Sequence, residues 1–212
     1  MHPTSLFHLS DARTLEVLVA ERGFALIVGA DGDRPLVAQA PVLLSEGRLR
    51  FHLSRANRLC SWLAGGGRAL AVLGGPDAYV SPDWYVEADQ VPTWNYVSVE
   101  VEGPARRLDV AATIRLLDDL SAYFEARLAP KPPWTRAKMD PARFEAMLAG
   151  IVGFELAVDR LEGIAKLSQN KPLADRARLA QALAEQPDAS SRAIGALIAA
   201  EAVSSREDSL EP

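Results

Sequence analysis

One cysteine, Cys60, stands in 212 residues, so no disulfide can form within a chain. Histidine is almost as scarce, at His2, His8 and His52. With one thiol and three imidazoles, a conventional zinc site is hard to assemble. The patterns HExxH, CxxC, GxxxxGK[ST] and GxSxG do not occur. The common zinc-protease, dithiol, P-loop and nucleophile-elbow chemistries therefore have no motif here. Gly65-Gly66-Gly67 is a turn signal, not a dinucleotide fingerprint. No apolar run approaches the roughly 18 residues of a membrane helix. The opening MHPTSLFHLSDAR lacks a basic stretch followed by an apolar core. These absences set the expectation of a cytoplasmic protein. Positive charge is also short: 23 Lys and Arg against 28 Asp and Glu give a net charge of -5. The overall field does not draw such a chain to nucleic acid.

What is present is material for a core, 49% hydrophobic residues with 24% charged. The pattern reads as a helix over Ser10–Arg22, then short strands over 23–30, 35–44 and 48–54. The last alternates cleanly, with Leu49, Phe51 and Leu53 on one side and Arg50, His52 and Ser54 on the other. A short helix to Leu63 follows, then strands over 69–74 and from Trp94 to Val101. Asp109 caps a long helix whose stripe reads Ile114, Leu117, Leu120, Phe124 and Leu128. Asp140-Pro141 opens another helix, and residues 150–158 return to strand. After Lys171 the chain is alanine-rich and helical, Leu173–Glu185 and Ala189–Val203, with a turn at Gln186-Pro187-Asp188. Short strands with helices gathered at the start, late middle and end predict a mainly β, α+β fold, an antiparallel barrel with a C-terminal helical segment. The expected division is a domain over 1–171, a helical hairpin over 172–203 and a frayed tail over 204–212.

Four segments gather polar and aromatic side chains. In FHLSRAN, His52 and Ser54 share a strand face, and Arg55 and Asn57 stand where strand gives way to helix. Helix-start amides with an arginine suit a phosphate; a solvated strand face with a helix cap accounts for the same residues. In GPDAYVSPDWY, Tyr79, Trp84 and Tyr85 cluster in a loop, to wall a planar ligand or close a barrel end. In PTWNY, Thr93 and Asn95 share one face, placed to meet a ligand or to tie down the preceding loop. EGIAKLSQNK places Lys166, Gln169, Asn170 and Lys171 past a strand end, a surface loop or the completion of a site.

Taken together, these segments resemble the PaiB-like family of FMN-binding negative transcriptional regulators. The motifs APVLL, FHLSRAN, GPDAYVSPDWY, PTWNYVSVEVEG, IVGFEL and KLSQNK occur in order from about Met1 to Leu183. The resemblance implies an FMN-binding split β-barrel, similar to pyridoxamine-phosphate oxidases and flavin reductases. It implies a homodimer with FMN at the subunit interface. His52, Ser54, Arg55 and Asn57, with Arg58 beside them, would hold the phosphate. Ser81, Trp84 and Tyr85 would lie near the ribityl chain or ring, and Thr93 and Asn95 would contact the cofactor or its loop. Lys166, Gln169 and Lys171 would close the site. The family often continues FHLSRAN with proline, whereas Arg58 follows here.

Three functions follow. The first is a flavin-dependent redox protein, an FMN-dependent oxidoreductase in its enzymatic form, or a flavin-linked transcriptional regulator of the PaiB type. The second is a DNA-binding transcriptional regulator without redox activity. Its support is poor, since Arg176, Arg178 and Arg192 of the C-terminal helices are interspersed with Asp175, Glu185 and Glu201. The third is a haem-binding split barrel with His52 or His8 as axial ligand.

Overall fold

The computed structural model describes residues 2–207. Eight strands are hydrogen-bonded in the order β1-β8-β6-β5-β2-β3-β4-β7. An added β6–β7 pairing closes six of them, from β6 round to β7, into a ring. The chain divides into two compact units, and strands β5 and β6 have residues in both.

The first unit, Ala12–Leu73 with Glu100–Leu161, contains the barrel closure. Helix α1 (Ala12–Arg22) turns Leu15 and Val19 inward. It stops at Gly23, whose φ of 59° suits glycine and whose amide donates to the Val19 carbonyl at 2.8 Å. Strands β2 (Phe24–Asp31), β3 (Arg34–Ser45) and β4 (Arg48–Ser54) form two hairpins. Glu46 and Gly47 both take positive φ in the second turn, the backbone that a two-residue hairpin requires. Helix α2 (Arg58–Ala64) leads into β5 (Arg68–Val80). Strand β6 (Thr93–Arg107) is followed by α3 (Val110–Ala126), α4 (Pro141–Leu148) and β7 (Ile151–Ala157). Inside the barrel, Phe51 stacks on Phe154 at 5.8 Å, and Ile27, Leu49 and Leu156 are fully buried around them.

Helix α3 covers part of the barrel's outer side. Leu116 and Leu120 pack with Leu108 against Leu43 and Phe124, and Asp119 pairs with Arg50 at 2.9 Å. The helix approaches β7 so closely that a Cβ on Gly153 would lie 2.6 Å from Thr113 Oγ1. The buried stripe is Thr113, Leu116 and Leu120, with Phe124 packed against it; of the predicted series Leu120 and Phe124 belong to this face, and Ile114, Leu117 and Leu128 do not. Both series have helical spacing; Ile114 faces a groove beside α4, and Leu128 falls past the helix end. Glu155 on β7 is nearly buried between Arg48 at 2.6 Å and Arg106 at 3.0 Å, linking β4, β7 and β6. Burial pushes the Glu155 pKa up, but hydrogen bonds from the two arginines outweigh it and hold it below the usual carboxylate range.

The second unit holds Gly74–Val99 with the residues before Ala12 and those from Glu162 onward. Strand β1 (His8–Leu9) pairs with β8 (Arg160–Lys166), His8 opposite Ile164. Neither strand stood out in the sequence. β1 spans two residues, and β8 mixes charges and a glycine among few apolar residues. Strand β5 also runs on through Gly74-Gly75-Pro76, which reads as a turn. Gly75 lets the chain pass Val97, whose Cβ would be 3.0 Å from an added Cβ. Helices α5 (Leu173–Ala184) and α6 (Ala189–Glu207) pack antiparallel through Leu179, Leu183, Ile194 and Ile198. The frayed tail expected over 204–212 begins inside α6; residues 208–212 lie outside the described residues. No described helix is long and apolar enough to cross a membrane.

Candidate functional site

The sequence-predicted site residues fall into two groups, one in each unit. In the barrel unit, His52 projects from β4 to the same side as Arg50, away from buried Phe51 and Leu53. Leu43 of β3 pairs with Arg50, so odd positions of β3 share this outer side. His52 is half-buried, and among the described residues its buried Nδ1 has no hydrogen-bond partner. A buried nitrogen without a partner is costly and calls for an occupant. Burial also lowers the His52 pKa from its ordinary 6.5. The folded state therefore favours neutral imidazole, and the unfolded chain takes up the proton first as pH falls. Apo-protein stability is expected to decline as pH drops below about 6.5, and His52→Asn to flatten that decline; urea melts at stepped pH measure both.

Ser54 is exposed, and its Oγ accepts from the Ala56 amide at 3.4 Å. Arg55 donates from Nε to the Ala149 carbonyl at 2.8 Å and from Nη2 to the Ile151 carbonyl at 3.2 Å, fixing its charge at the head of β7. Asn57 caps α2 by accepting from the Leu59 amide at 2.8 Å. Arg58 opens α2, exposed, beside a hollow it shares with Arg34 and Asn57. Several amides around this helix start are in use, that of Leu59 by the cap. Those of Arg55, Asn57 and Cys60 donate to the carbonyls of Gly150, Ser54 and Asn57. An anion here would be met chiefly by side chains.

The outer side of β2, β3 and β5 is apolar. Val28 lies opposite Val37 and Leu70, and Leu26 opposite Gln39 and Val72. Leu26 is 39% exposed and Val37 56%. Antiparallel sheets normally turn polar residues to solvent, so this face is built to be covered.

In the second unit the predicted residues converge. Lys166 Nζ donates to Thr93 Oγ1 at 2.6 Å, and burial lowers its pKa. Asn95, with no exposed surface, donates to Ser168 Oγ at 2.9 Å. The Tyr85 hydroxyl meets the same serine; burial raises its pKa and the Ser168 bond offsets part of the rise. Lys171 lies 5.1 Å from the Tyr85 ring centre and bonds Gln90. Gln169 is turned to the backbone, accepting from the Leu167 amide and donating to the Ala165 carbonyl. Ser81 caps the one-turn helix Pro82–Trp84, which leaves Trp84 half-buried. Trp94 and Tyr79 remain exposed, edge to face at 6.2 Å.

Several participants escaped the sequence reading. Ser168, at φ 60°, joins Asn95 to Tyr85. Asp175 accepts the Val86 and Glu87 amides on one oxygen, and Arg178 donates to the Tyr85 carbonyl. Their only sequence signal is membership in, or nearness to, KLSQNK. The hairpin arginines are engaged within the chain. Arg176 is buried against Glu201 at 3.3 Å, and Arg192 donates to the Gln186 and Pro187 carbonyls.

A ring of antiparallel strands with an apolar outer face and a polar rim is the architecture of flavin-binding split barrels, and solved structures agree. The FAD and haem binding protein of Mycobacterium smegmatis superimposes with a TM-score of 0.57 at 18% identity, over 75% of this chain and 73% of that one. The flavocytochrome Anf3 of Azotobacter vinelandii gives 0.58 at 15%, over 78% and 72%. The family described as "Putative FMN-binding domain" matches residues 1–160, and the chain belongs to it. FMN is the cofactor of that family. Protease synthase and sporulation protein PAI 2 of Bacillus subtilis is 25% identical over 202 residues, 93% of this chain and 96% of that protein. The similarity to the PaiB-like family thus extends over nearly the whole chain.

Proposed function

We propose that this protein is a homodimeric FMN-dependent redox protein. FMN, when bound, supplies hydride or electron transfer. The chain binds and orients it and shields it from water. The observation that carries the reading is the outer face of β2, β3 and β5, an exposed apolar surface, with a buried histidine nitrogen without a partner on the adjoining β4. The apolar part suits a planar ring and a second subunit. His52, Ser54, Arg55 and Arg58 suit a phosphate, with Asn57 holding the start of α2 in place. Ser81, Trp84, Tyr85, Thr93, Lys166 and Lys171 form the wall assigned to the rest of the cofactor, backed by fully buried Asn95 and by backbone-bonded Gln169. Much of that wall is internally hydrogen-bonded, which gives a preorganised surface.

The engagement of Arg176, Arg178 and Arg192 with acceptors inside the chain favours this reading over direct DNA binding, which needs cations turned to phosphate. Titration of the purified protein with FMN, followed by flavin absorbance and mass in solution, tests it. One FMN per subunit in a dimer is expected, with oxidation of NAD(P)H as the next assay. His52→Ala is expected to weaken FMN binding about tenfold by removing a charge-assisted contact. A folded protein that leaves the flavin spectrum unperturbed would refute the reading, and a Soret band on adding haemin would move the haem reading to the front.

A further inference from the structure

The C-terminal hairpin reaches the aromatic loop through side chains that grip its backbone. Ser190 of α6 donates to the Asp77 carbonyl at 2.8 Å and accepts from the Asp77 amide at 2.8 Å. At the other end of the loop, Asp175 of α5 accepts from the Val86 amide at 2.6 Å and the Glu87 amide at 3.3 Å. Between them, Arg178 donates to the Tyr85 carbonyl at 3.0 Å and, more weakly, to the Asp83 carbonyl at 3.4 Å. Both ends of the segment that carries Ser81, Trp84 and Tyr85 are therefore held by the hairpin. All of these bonds go to backbone atoms. The hairpin sets the path of the loop and leaves its side chains free to face elsewhere.

Asp175 is a costly way to achieve packing alone. It is 1% exposed, and its second oxygen is buried without a hydrogen-bond partner among the described residues. A carboxylate in that state loses hydration that one oxygen's two bonds only partly replace. An apolar side chain would fill the space more cheaply. What the carboxylate adds is a fixed acceptor for two successive amides, which directs the chain where it leaves Tyr85.

We infer that the α5–α6 hairpin is a clamp that positions the aromatic loop for the flavin, with Asp175 and Arg178 as positioning residues. This rests on the proposed reading that Ser81, Trp84 and Tyr85 meet the cofactor. The hairpin then acts on flavin binding through the loop backbone, without touching the flavin itself.

The test compares the full chain with Asp175→Ala, Asp175→Asn, Arg178→Met, Ser190→Ala and Trp84→Ala. FMN affinity is read by quenching of flavin fluorescence and loop geometry by the visible circular dichroism of bound flavin; far-ultraviolet dichroism checks folding. Asp175→Ala and Arg178→Met are expected to weaken FMN binding about tenfold, as loss of a charged hydrogen bond does, and to alter the flavin dichroism. Asp175→Asn keeps the acceptor and is expected to match the parent. Should Asp175→Ala fail to fold, Arg178→Met and Ser190→Ala, at less buried positions, decide the matter. Unchanged affinity and dichroism in the hairpin variants, with binding weakened in Trp84→Ala, would overturn the clamp and leave the flavin site standing. Loss in Asp175→Asn equal to that in Asp175→Ala would show that the retained acceptor does not place the loop, and would also overturn the clamp. Unchanged binding in Trp84→Ala would remove the loop from the flavin site, and the clamp with it.

Discussion

A Val37→Glu variant is expected to run as a monomer and to lose FMN on gel filtration, while keeping the parent's far-ultraviolet dichroism. Val37 is 56% exposed on the outer side of β3, opposite Val28, with Leu26 and Val72 nearby on the same surface. In the isolated subunit a glutamate there stays in water, so the fold is little disturbed. In a dimer buried on this face, the carboxylate would lose its hydration without a partner. An uncompensated buried charge costs roughly 3–5 kcal/mol. A two-fold interface contains each substitution twice, which doubles the penalty. Dimer affinity should fall by roughly 10⁴-fold to 10⁷-fold. Light scattering behind gel filtration gives the mass, and absorbance near the flavin bands gives the FMN retained. Leu26→Glu, on the adjacent strand, should behave alike. If both variants remain dimers with bound FMN, the subunits meet through another surface, and the apolar face needs a different occupant.

The second large effect concerns stability. Gly103→Ala is expected to lower the melting temperature by about 10 °C or to prevent folding. A Cβ on Gly103 would lie 2.0 Å from the Ala157 carbonyl oxygen and 2.8 Å from its carbon. Both atoms belong to the backbone, so no side-chain rotation relieves the clash. The strands must separate beside the pairs Ala105–Leu156 and Arg106–Glu155, which close the barrel. Overpacking of this kind costs about 3 kcal/mol or more. For a chain of this size each 1 kcal/mol moves the midpoint by roughly 2–4 °C. Gly74→Ala serves as the control, because an added Cβ there meets nothing within 4 Å. Equal melting temperatures for the two variants would show that the barrel opens at Gly103 at little cost.

Much of the architecture could be read from the chain. The alternation Leu49, Phe51, Leu53 against Arg50, His52, Ser54 gave β4 with the correct side inward, because a two-residue period allows only two assignments. Asp109 and Asp140 marked helix starts and do cap them, accepting from the Ala112 and Arg143 amides. Local rules fail where a distant segment decides. In α3, either of two helical stripes was compatible with the sequence, and the position of β3 and β7 selected the one through Leu116. In β8, the pairing with β1 made a strand of residues that read as a polar loop. The extension of β5 through Gly74-Gly75-Pro76 depended on a neighbouring strand, since a glycine pair is silent about whether it turns or runs straight.

The candidate site divides along the same line. Composition alone excluded an intrachain disulfide and the familiar hydrolytic motifs, and the resemblance of six motifs in order to the PaiB-like family implied an FMN-binding barrel, since residue types and their sequence are local information. Only the tertiary structure decided what each polar side chain faces. It turned Arg55 to two carbonyls at the head of β7, buried Asn95 against Ser168, and left the His52 Nδ1 without a partner. It also set Asp175, Arg178 and Ser190 on the backbone of the aromatic loop. These bonds join residues far apart in the chain. Their formation depends on distances that only folding fixes, because a hydrogen bond exists within a few tenths of an ångström or not at all.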